Sequence, residues 1–321
     1  MRVLVTGGAG FIGSHLCDRL RADGHYVAAF DNLTTGRREN LPADADEHGQ
    51  GWFWRGDVSD IDHLRSLGPF ELVVHCAASY DDRDKWHRDT NTNVMGGINV
   101  GIVAREWGAR VIYFQTALVY GNNPYWVHNA NTHGANAVAP LHIETPVRPE
   151  SSYAISKLAA EQYLRLAGVP LLVLRLANIY GPRNLSGPVP AFYKRITEGQ
   201  PCTIVDSRRD FVYIQDLVDL VAQAIAMDAT GTFHVSSGGD YPIGQVYDCV
   251  VNALDAYGGP DPRFVERGED DAPTILLDPS ETQRKFSWVA TTDLDEGVEA
   301  AVAWYGQNGV AATYTHLEMK G

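Results

Sequence analysis

Residues 2–22 constrain the fold more than any other stretch. Arg2-Val3-Leu4-Val5-Thr6 is a short β-branched run, and Gly7-Gly8-Ala9-Gly10-Phe11-Ile12-Gly13 follows without a break. Residues 14–21 then take up helical spacing, with Ile12, Leu16 and Leu20 on one side. Strand, glycine turn and helix in that order open a β-α-β unit. Glycines spaced Gly-x-x-Gly-x-x-Gly let the backbone turn tightly and approach a diphosphate, which rests on the amides of the helix N-terminus. Gly7, Gly10, Phe11, Ile12 and Gly13 are therefore candidate cofactor contacts.

The next strand, residues 25–30, runs into Asp31-Asn32, and Asp31 lies 18 residues after Gly13. An acid at that distance holds the adenosine ribose hydroxyls and repels a 2′-phosphate, so NAD is expected rather than NADP. Arg37 and Arg38 nearby are the residues that argue the other way, and a plain turn aspartate is the alternative. A third strand near 52–55 leads to Gly56-Asp57-Val58, where Asp57 can accept from the adenine amino group; Val58 next to it, and Asn32 next to Asp31, are further candidate cofactor contacts. Residues 72–75 form a fourth strand entering Cys76-Ala77-Ala78-Ser79; the small Ala77, Ala78 and Ser79 let the chain pass close to a cofactor. A helix over 91–107 carries Asn93, a further candidate contact, and a fifth strand over 110–116 ends on the hydroxyl of Thr116.

Strands at 110–116 and 171–176 flank a long loop over 121–150 and a helix over 153–167. This alternation predicts an α/β chain with a doubly wound parallel sheet. Beyond Pro182 the pattern loosens, with helices at 188–199 and 242–257 and strands near 202–205 and 233–236. The expected division is a dinucleotide-binding domain of residues 1–177 with about 211–236, and a smaller C-terminal α/β substrate lobe of 178–210 with about 237–321.

Within Ser151-Ser152-Tyr153-Ala154-Ile155-Ser156-Lys157, Tyr153 and Lys157 stand four apart on one helix face. A free tyrosine, with a pKa of about 10, is a poor base near neutrality. A cation alongside favours the phenolate, so the pair suits a general base with its tuner. On spacing alone it suits an ordinary solvated helix equally well.

The formal net charge of −14 disfavours nucleic acid and anionic membranes as partners. Any anionic ligand must then be held by local donors. Cys17, Cys76, Cys202 and Cys249 show no Cys-x-x-Cys pairing and read as reduced thiols. No leader and no apolar run of membrane-spanning length is visible, so a cytoplasmic protein is expected. His128, His133 and His142 lack ligand spacing, and no metal site is expected.

Taken together, the ordered motifs over about the first 305 residues resemble the extended short-chain dehydrogenase/reductases of the nucleotide-sugar branch. That resemblance implies a Rossmann-type domain binding NAD. Asp31-Asn32-Leu33 with Gly36-Arg37-Arg38-Glu39-Asn40-Leu41 looks like the adenosine-binding stretch of UDP-glucose 4-epimerases. Thr116, three residues before Val119-Tyr120-Gly121, matches the catalytic Ser/Thr, and Tyr153 and Lys157 match the catalytic pair. Asn178 matches a sugar-nucleotide contact and Arg209-Asp210-Phe211 a phosphate clamp. Arg267 and Asp271 resemble the residues that hold the nucleotide ribose, the arginine displaced by about one position. Gln115 and Leu118 depart from the serine-rich strand end of the hexose epimerases, which bears on the hydrogen bonds to the sugar.

Four reactions use this machinery. The family's 4,6-dehydratases place Asp-Glu after the catalytic threonine and its uronate decarboxylases keep the Glu; here Ala117 and Leu118 stand there, which disfavours elimination. A 4-ketoreductase commonly uses NADPH, against Asp31. A UDP-sugar 4-epimerase is the expected activity, with UDP-glucose/galactose or an N-acetylhexosamine as alternatives to a uronate, and a dinucleotide-binding sensor as the non-enzyme alternative. The chain is similar to epimerases of polysaccharide and antibiotic clusters, including UDP-glucuronate 4-epimerases such as one in moenomycin biosynthesis. Arg183, which suits a carboxylate, is the expected uronate contact, with Ser79 and Thr116 as hydroxyl donors. The resemblance also implies a homodimer built on helices near 93–107 and 153–167, with Ile98, Val103, Ala154, Leu158 and Leu164 as the apolar contact.

Overall fold

The computed structural model describes residues 1–43, 52–80, 84–121, 139–267, 274–310 and 312–313 of the chain. In order the elements are β1 (Arg2–Thr6), α1 (Phe11–Ala22), β2 (Tyr26–Asp31), β3 (Phe53–Arg55), α2 (Ile61–Ser66), β4 (Leu72–His75), α3 (Trp86–Asp89), α4 (Gly96–Trp107), β5 (Arg110–Thr116), α5 (Ser152–Ala167) and β6 (Leu171–Leu176). There follow β7 (Asn178–Tyr180), α6 (Pro188–Thr197), β8 (Thr203–Val205), β9 (Arg208–Arg209), β10 (Phe211–Tyr213), α7 (Ile214–Ala226) and β11 (Gly231–Val235). The chain closes with β12 (Tyr241–Pro242), α8 (Ile243–Leu254), β13 (Arg263–Val265), β14 (Thr274–Ile275), α9 (Ser280–Phe286) and α10 (Leu294–Asn308).

Seven strands form one sheet in the order β11-β6-β5-β4-β1-β2-β3. β1 lies between β2 and β4, parallel to both, with Thr6 opposite Phe30 and His75. The strand order therefore reverses between β1 and β4, which opens a crevice at their carboxyl ends. The glycine loop leaves β1 there, and the Cys76–Ser79 turn leaves β4. Buried on both faces, the central strands read as unbroken apolar runs, as Val3-Leu4-Val5 and Val73-Val74 do.

Two compact units divide the chain: Met1–Thr116 with Ser151–Arg175 and Val218–Thr232, and Ala117–Glu150 with Leu176–Leu217 and Phe233–Gly321. The first is built on Leu4, Phe30, Leu64, Val73, Val100, Tyr113 and Leu164. The second packs Phe192, Phe211, Val246, Val250, Val298 and Tyr305. These limits differ from the expected ones at residues 117–150, 176–177, 211–217 and 233–236. The Leu141 amide donates to the Leu276 carbonyl, and Tyr120 bonds His234, which ties the described part of the loop to the second unit. Asp216 likewise accepts from the amides of Thr291 and Thr292.

The helix expected over 91–107 begins instead as a π-turn, Thr90–Met95, before α4. Gly97 and Gly101 bring α4 against α5: a Cβ on Gly97 would lie 2.8 Å from the Ala160 Cβ, and one on Gly101 3.1 Å from that of Ala167. Val103, Ala154 and Leu164 are fully buried within the chain, so they cannot form the apolar contact expected of them between copies of the chain. The exposed large apolar side chains here are Ile155, Tyr163 and Leu166 on α5 and Met95 at the end of the π-turn. All four cysteines are reduced thiols. Among the described residues, no helix is long and apolar enough to cross a membrane.

Candidate active site

The glycine loop has no room for side chains. Gly7 takes φ +67°, which favours glycine, and a Cβ on it would lie 2.6 Å from the Ala77 amide nitrogen. One on Gly13 would meet the Gly7 carbonyl at 2.1 Å. Gly10 caps α1 without a side-chain bond, and no acid stands in the first turn, which contains Phe11, Ile12 and Gly13. The first amides of that helix have no intrahelical acceptor, which suits them to an anion.

At the end of β2 the Asp31 carboxylate is buried and accepts from the amides of Ala9 (3.0 Å) and Leu33 (2.8 Å). Burial raises its pKa above the ordinary carboxylate value, with those bonds opposing. A Cβ on Gly36 would sit 2.6 Å from the Asp31 Oδ1, so only glycine lets the chain close over the acid. Asp57 accepts from Asn32 Nδ2 (2.7 Å) and from the amide and hydroxyl of Ser59. Burial works to raise its pKa, but these bonds prevail and hold it below the usual value. Val58 is buried, and the turn residues Ala77 and Ala78 are half-buried.

Asn93, a candidate cofactor contact, is buried and bonded within the protein. Both of its amide hydrogens are used inside the protein, one to the Ser79 carbonyl (3.1 Å) and one to Ser156 Oγ (2.9 Å). Its oxygen accepts from the Ser79 amide (2.8 Å). Asn93 is a clamp that sets the Ser79 turn against α5.

Thr116, Tyr153 and Lys157 all belong to the first unit. Ser151 caps α5 through its hydroxyl, which accepts from the Ala154 amide at 3.2 Å, and thereby places Tyr153 in the first turn. The Tyr80 ring lies 6.5 Å from that of Tyr153 in a T-shaped contact. The buried Asp89 accepts from the Ser152 hydroxyl at 2.7 Å. Burial raises the Tyr153 phenol, and Tyr80 and Asp89 push it the same way. The downward pull expected from Lys157 is not among the influences on it. Burial instead lowers Lys157 itself to about 7, with Cys76 and Glu161 opposing. Its ammonium sits 4.1 Å from the centre of the Tyr113 ring.

In the second unit, the amide and the side-chain nitrogen of Asn178 donate to the Asp210 carbonyl at 3.0 and 3.2 Å. Arg209 is buried and gives one guanidinium bond to the Arg208 carbonyl (2.6 Å). Arg267 is exposed, and Asp271 lies outside the described residues, as do His128 and His133. Arg183 takes φ +68°, a strained conformation for a side-chain-bearing residue.

Residues 3–244 match the family described as the NAD-dependent epimerase/dehydratase family. The chain belongs to that family. Its relatives include a UDP-glucose 4-epimerase of Mycolicibacterium smegmatis, 31% identical over 95% of this chain and 98% of the relative. The Bordetella bronchiseptica enzyme WbmG in complex with NAD and UDP is similar in structure, with a TM-score of 0.85, 38% identity and 99% of each chain covered. The enzyme WbmH of the same organism in complex with NAD⁺ gives a TM-score of 0.86 and 42% identity over 96% of this chain and 99% of that one. The family's cofactor fits the cradle: amides at the α1 terminus for phosphate, a buried carboxylate for ribose, and glycines where a Cβ would collide. In this epimerase-family chain, sequence reasoning missed Tyr80 and Asp89. Tyr80 directly follows the Ser79 turn, a signal open to reading; nothing local to Asp89 shows that it reaches the start of α5. Gln115, whose departure from the serine-rich strand end bears on the sugar hydrogen bonds, is 1% exposed and bonds Lys157 and Glu161 of α5.

Proposed function

We propose that the protein is an NAD-dependent UDP-sugar 4-epimerase whose substrate is UDP-glucuronate or UDP-galacturonate. The reaction class rests on one observation: Ala117 and Leu118, which follow Thr116, offer no acid or base that would take the sugar beyond its 4-keto stage. NAD, when bound, supplies a reversible hydride acceptor. Tyr153 takes the proton of the sugar 4-hydroxyl and returns it, Thr116 hydrogen-bonds that hydroxyl, and Lys157 holds the nicotinamide ribose. Gly7, Gly10, Phe11, Ile12 and Gly13 cradle the diphosphate, Asp31 takes the adenosine ribose, and Asn32, Asp57, Val58, Ala77 and Ala78 line the adenine and backbone path. Asn178, Arg209, Arg267 and Asp271 hold the nucleotide, a UDP as in the WbmG complex.

The uronate is assigned through Arg183. Arg183 directly follows Asn178-Ile179-Tyr180-Gly181-Pro182 and is held at φ +68° against a cost of about 1–3 kcal/mol. Its planar fork bonds both oxygens of a carboxylate, and in a chain of charge −14 the counter-charge must be local. UDP-glucose/galactose epimerisation is the second reading, favoured by the M. smegmatis relative. Incubation with a panel of UDP-sugars, followed by NMR, tests both. Arg183→Met is expected to lower kcat/KM for UDP-glucuronate by about 30-fold or more, as for a lost buried charge pair, with neutral hexoses within threefold. Equal loss on both makes Arg183 a nucleotide anchor, and no turnover of either uronate ends that assignment. We further infer a homodimer formed through the exposed Ile155, Tyr163, Leu166 and Met95.

A further inference from the structure

Three candidate catalytic groups stand on two elements, Thr116 at the end of β5 and Tyr153 and Lys157 on α5, and something must hold those elements in register. Gln115 spans them. Its Oε1 accepts from the Thr116 amide at 2.9 Å. Its Nε2 donates to the Lys157 carbonyl at 3.0 Å and to Glu161 Oε2 at 2.9 Å. Tyr113, two residues earlier on β5, adds a second bond to the same carbonyl, at 2.9 Å. Glu161 is itself 1% exposed, and its other oxygen accepts from Arg165 Nε and Nη2 at 3.1 and 2.9 Å. Arg175 on β6 approaches that oxygen at 3.7 Å. A buried carboxylate tied to two guanidinium groups and an amide is a fixed point, since moving it would strand charge in the interior.

We propose that Gln115 is a positioning residue: it fastens the Lys157 turn of α5 to the Thr116 end of β5, with the buried Glu161 as its second anchor. A serine at this place would be too short to bridge Thr116, Lys157 and Glu161 at once. A glutamine buried here belongs to the frame under the base and not to the sugar subsite. The same anchor carries charge. Glu161 is the carboxylate acting on the Lys157 ammonium, which is also near His75 at the end of β4, Cys76 after it, and the Tyr113 ring.

The proposal rests on the 4-epimerase reading for its kinetic arm only. Gln115→Met keeps the length and loses all three bonds. On any UDP-sugar that the wild type turns over, it is expected to lower kcat about tenfold with KM within threefold, because ground-state binding does not depend on the register of the base. Hydrogen exchange followed by mass spectrometry needs no substrate. In the NAD-loaded protein it should show faster exchange in peptides covering 153–161, with those of β1 and β2 unchanged. Gln115→Asn, which keeps an amide but falls short of Lys157, is expected to lie between the two, and serves if the methionine variant fails to fold. An unchanged kcat, or a KM that rises as far as kcat falls, overturns the proposal. Should the wild type turn over no UDP-sugar, the function proposed above fails by itself, and exchange in 153–161 like that of the wild type then overturns the positioning role separately.

Discussion

Asp210 is the most exacting test of the electrostatics. The residue is fully buried, its Oδ1 accepts from the amide and hydroxyl of Ser237 at 3.0 and 2.7 Å, and its Oδ2 has no hydrogen-bond partner among the described residues. Burial raises its pKa to about 6, opposed by the nearby Ser236 and the bonds from Ser237 and assisted by Asp240. An unfolded aspartate titrates near 3.9. The folded protein therefore prefers the protonated acid, and its stability falls as pH rises through about 6. The two units of difference correspond to roughly 3 kcal/mol at pH 8, about half of that at pH 5, and almost nothing below pH 4. Asp210→Asn retains an oxygen for Ser237 and removes the charge. Urea and thermal unfolding between pH 3.5 and 8 should show the variant more stable at pH 8, by roughly 5 °C in Tm, with the advantage vanishing toward pH 4. A variant less stable than wild type at pH 8, or a difference that does not change with pH, would refute the reasoning.

Further outcomes follow from the site. Tyr153→Phe should lower kcat by about 10²–10⁴ while UDP affinity by calorimetry stays within a few fold; near-normal turnover removes the base assignment. Gly36→Ala would drive a methyl into the Asp31 carboxylate, so the purified protein should retain less NAD by absorbance than wild type; full retention would show that Asp31 does not touch the cofactor. Leu166→Glu places charge on the exposed face of α5, and light scattering should find the wild type dimeric and the variant shifted to monomer. A monomeric wild type at micromolar concentration would sink the dimer.

Much of the first unit was legible because its signals are local. β1, the glycine turn and α1 declare themselves within 22 residues, and β4 and β5 fall where their apolar runs place them. Tyr153 and Lys157 were legible as a spacing, and as chemistry only through a resemblance. What escaped depends on partners far along the chain. The environment of Tyr153 is set by Tyr80 and Asp89, and the burial that raises it and lowers Lys157 has no sequence period. Val103, Ala154 and Leu164 illustrate the same limit. Apolar spacing marks a helix face to be covered, and for Val103 and Leu164 strand residues such as Val73 and Val111 in the same core cover it. Gln115 reads as an ordinary polar strand end until Glu161 is seen beside it.

The π-turn at Thr90–Met95 gives the segment ahead of α4 one residue more than a regular helix would hold. Chain length there becomes a functional variable in its own right. Deleting one of the six residues would let the turn regularise, and side chains within it, Asn93 among them, would be rephased by up to roughly 100° about the axis. Asn93 would then face away from Ser79 and Ser156, although the composition of the stretch had scarcely changed. Substitutions that keep six residues are the tolerable kind of variation at this point, and a single-codon deletion is the intolerable kind. A reading frame trimmed by three nucleotides would dismantle the Ser79 turn more surely than most point mutations within it.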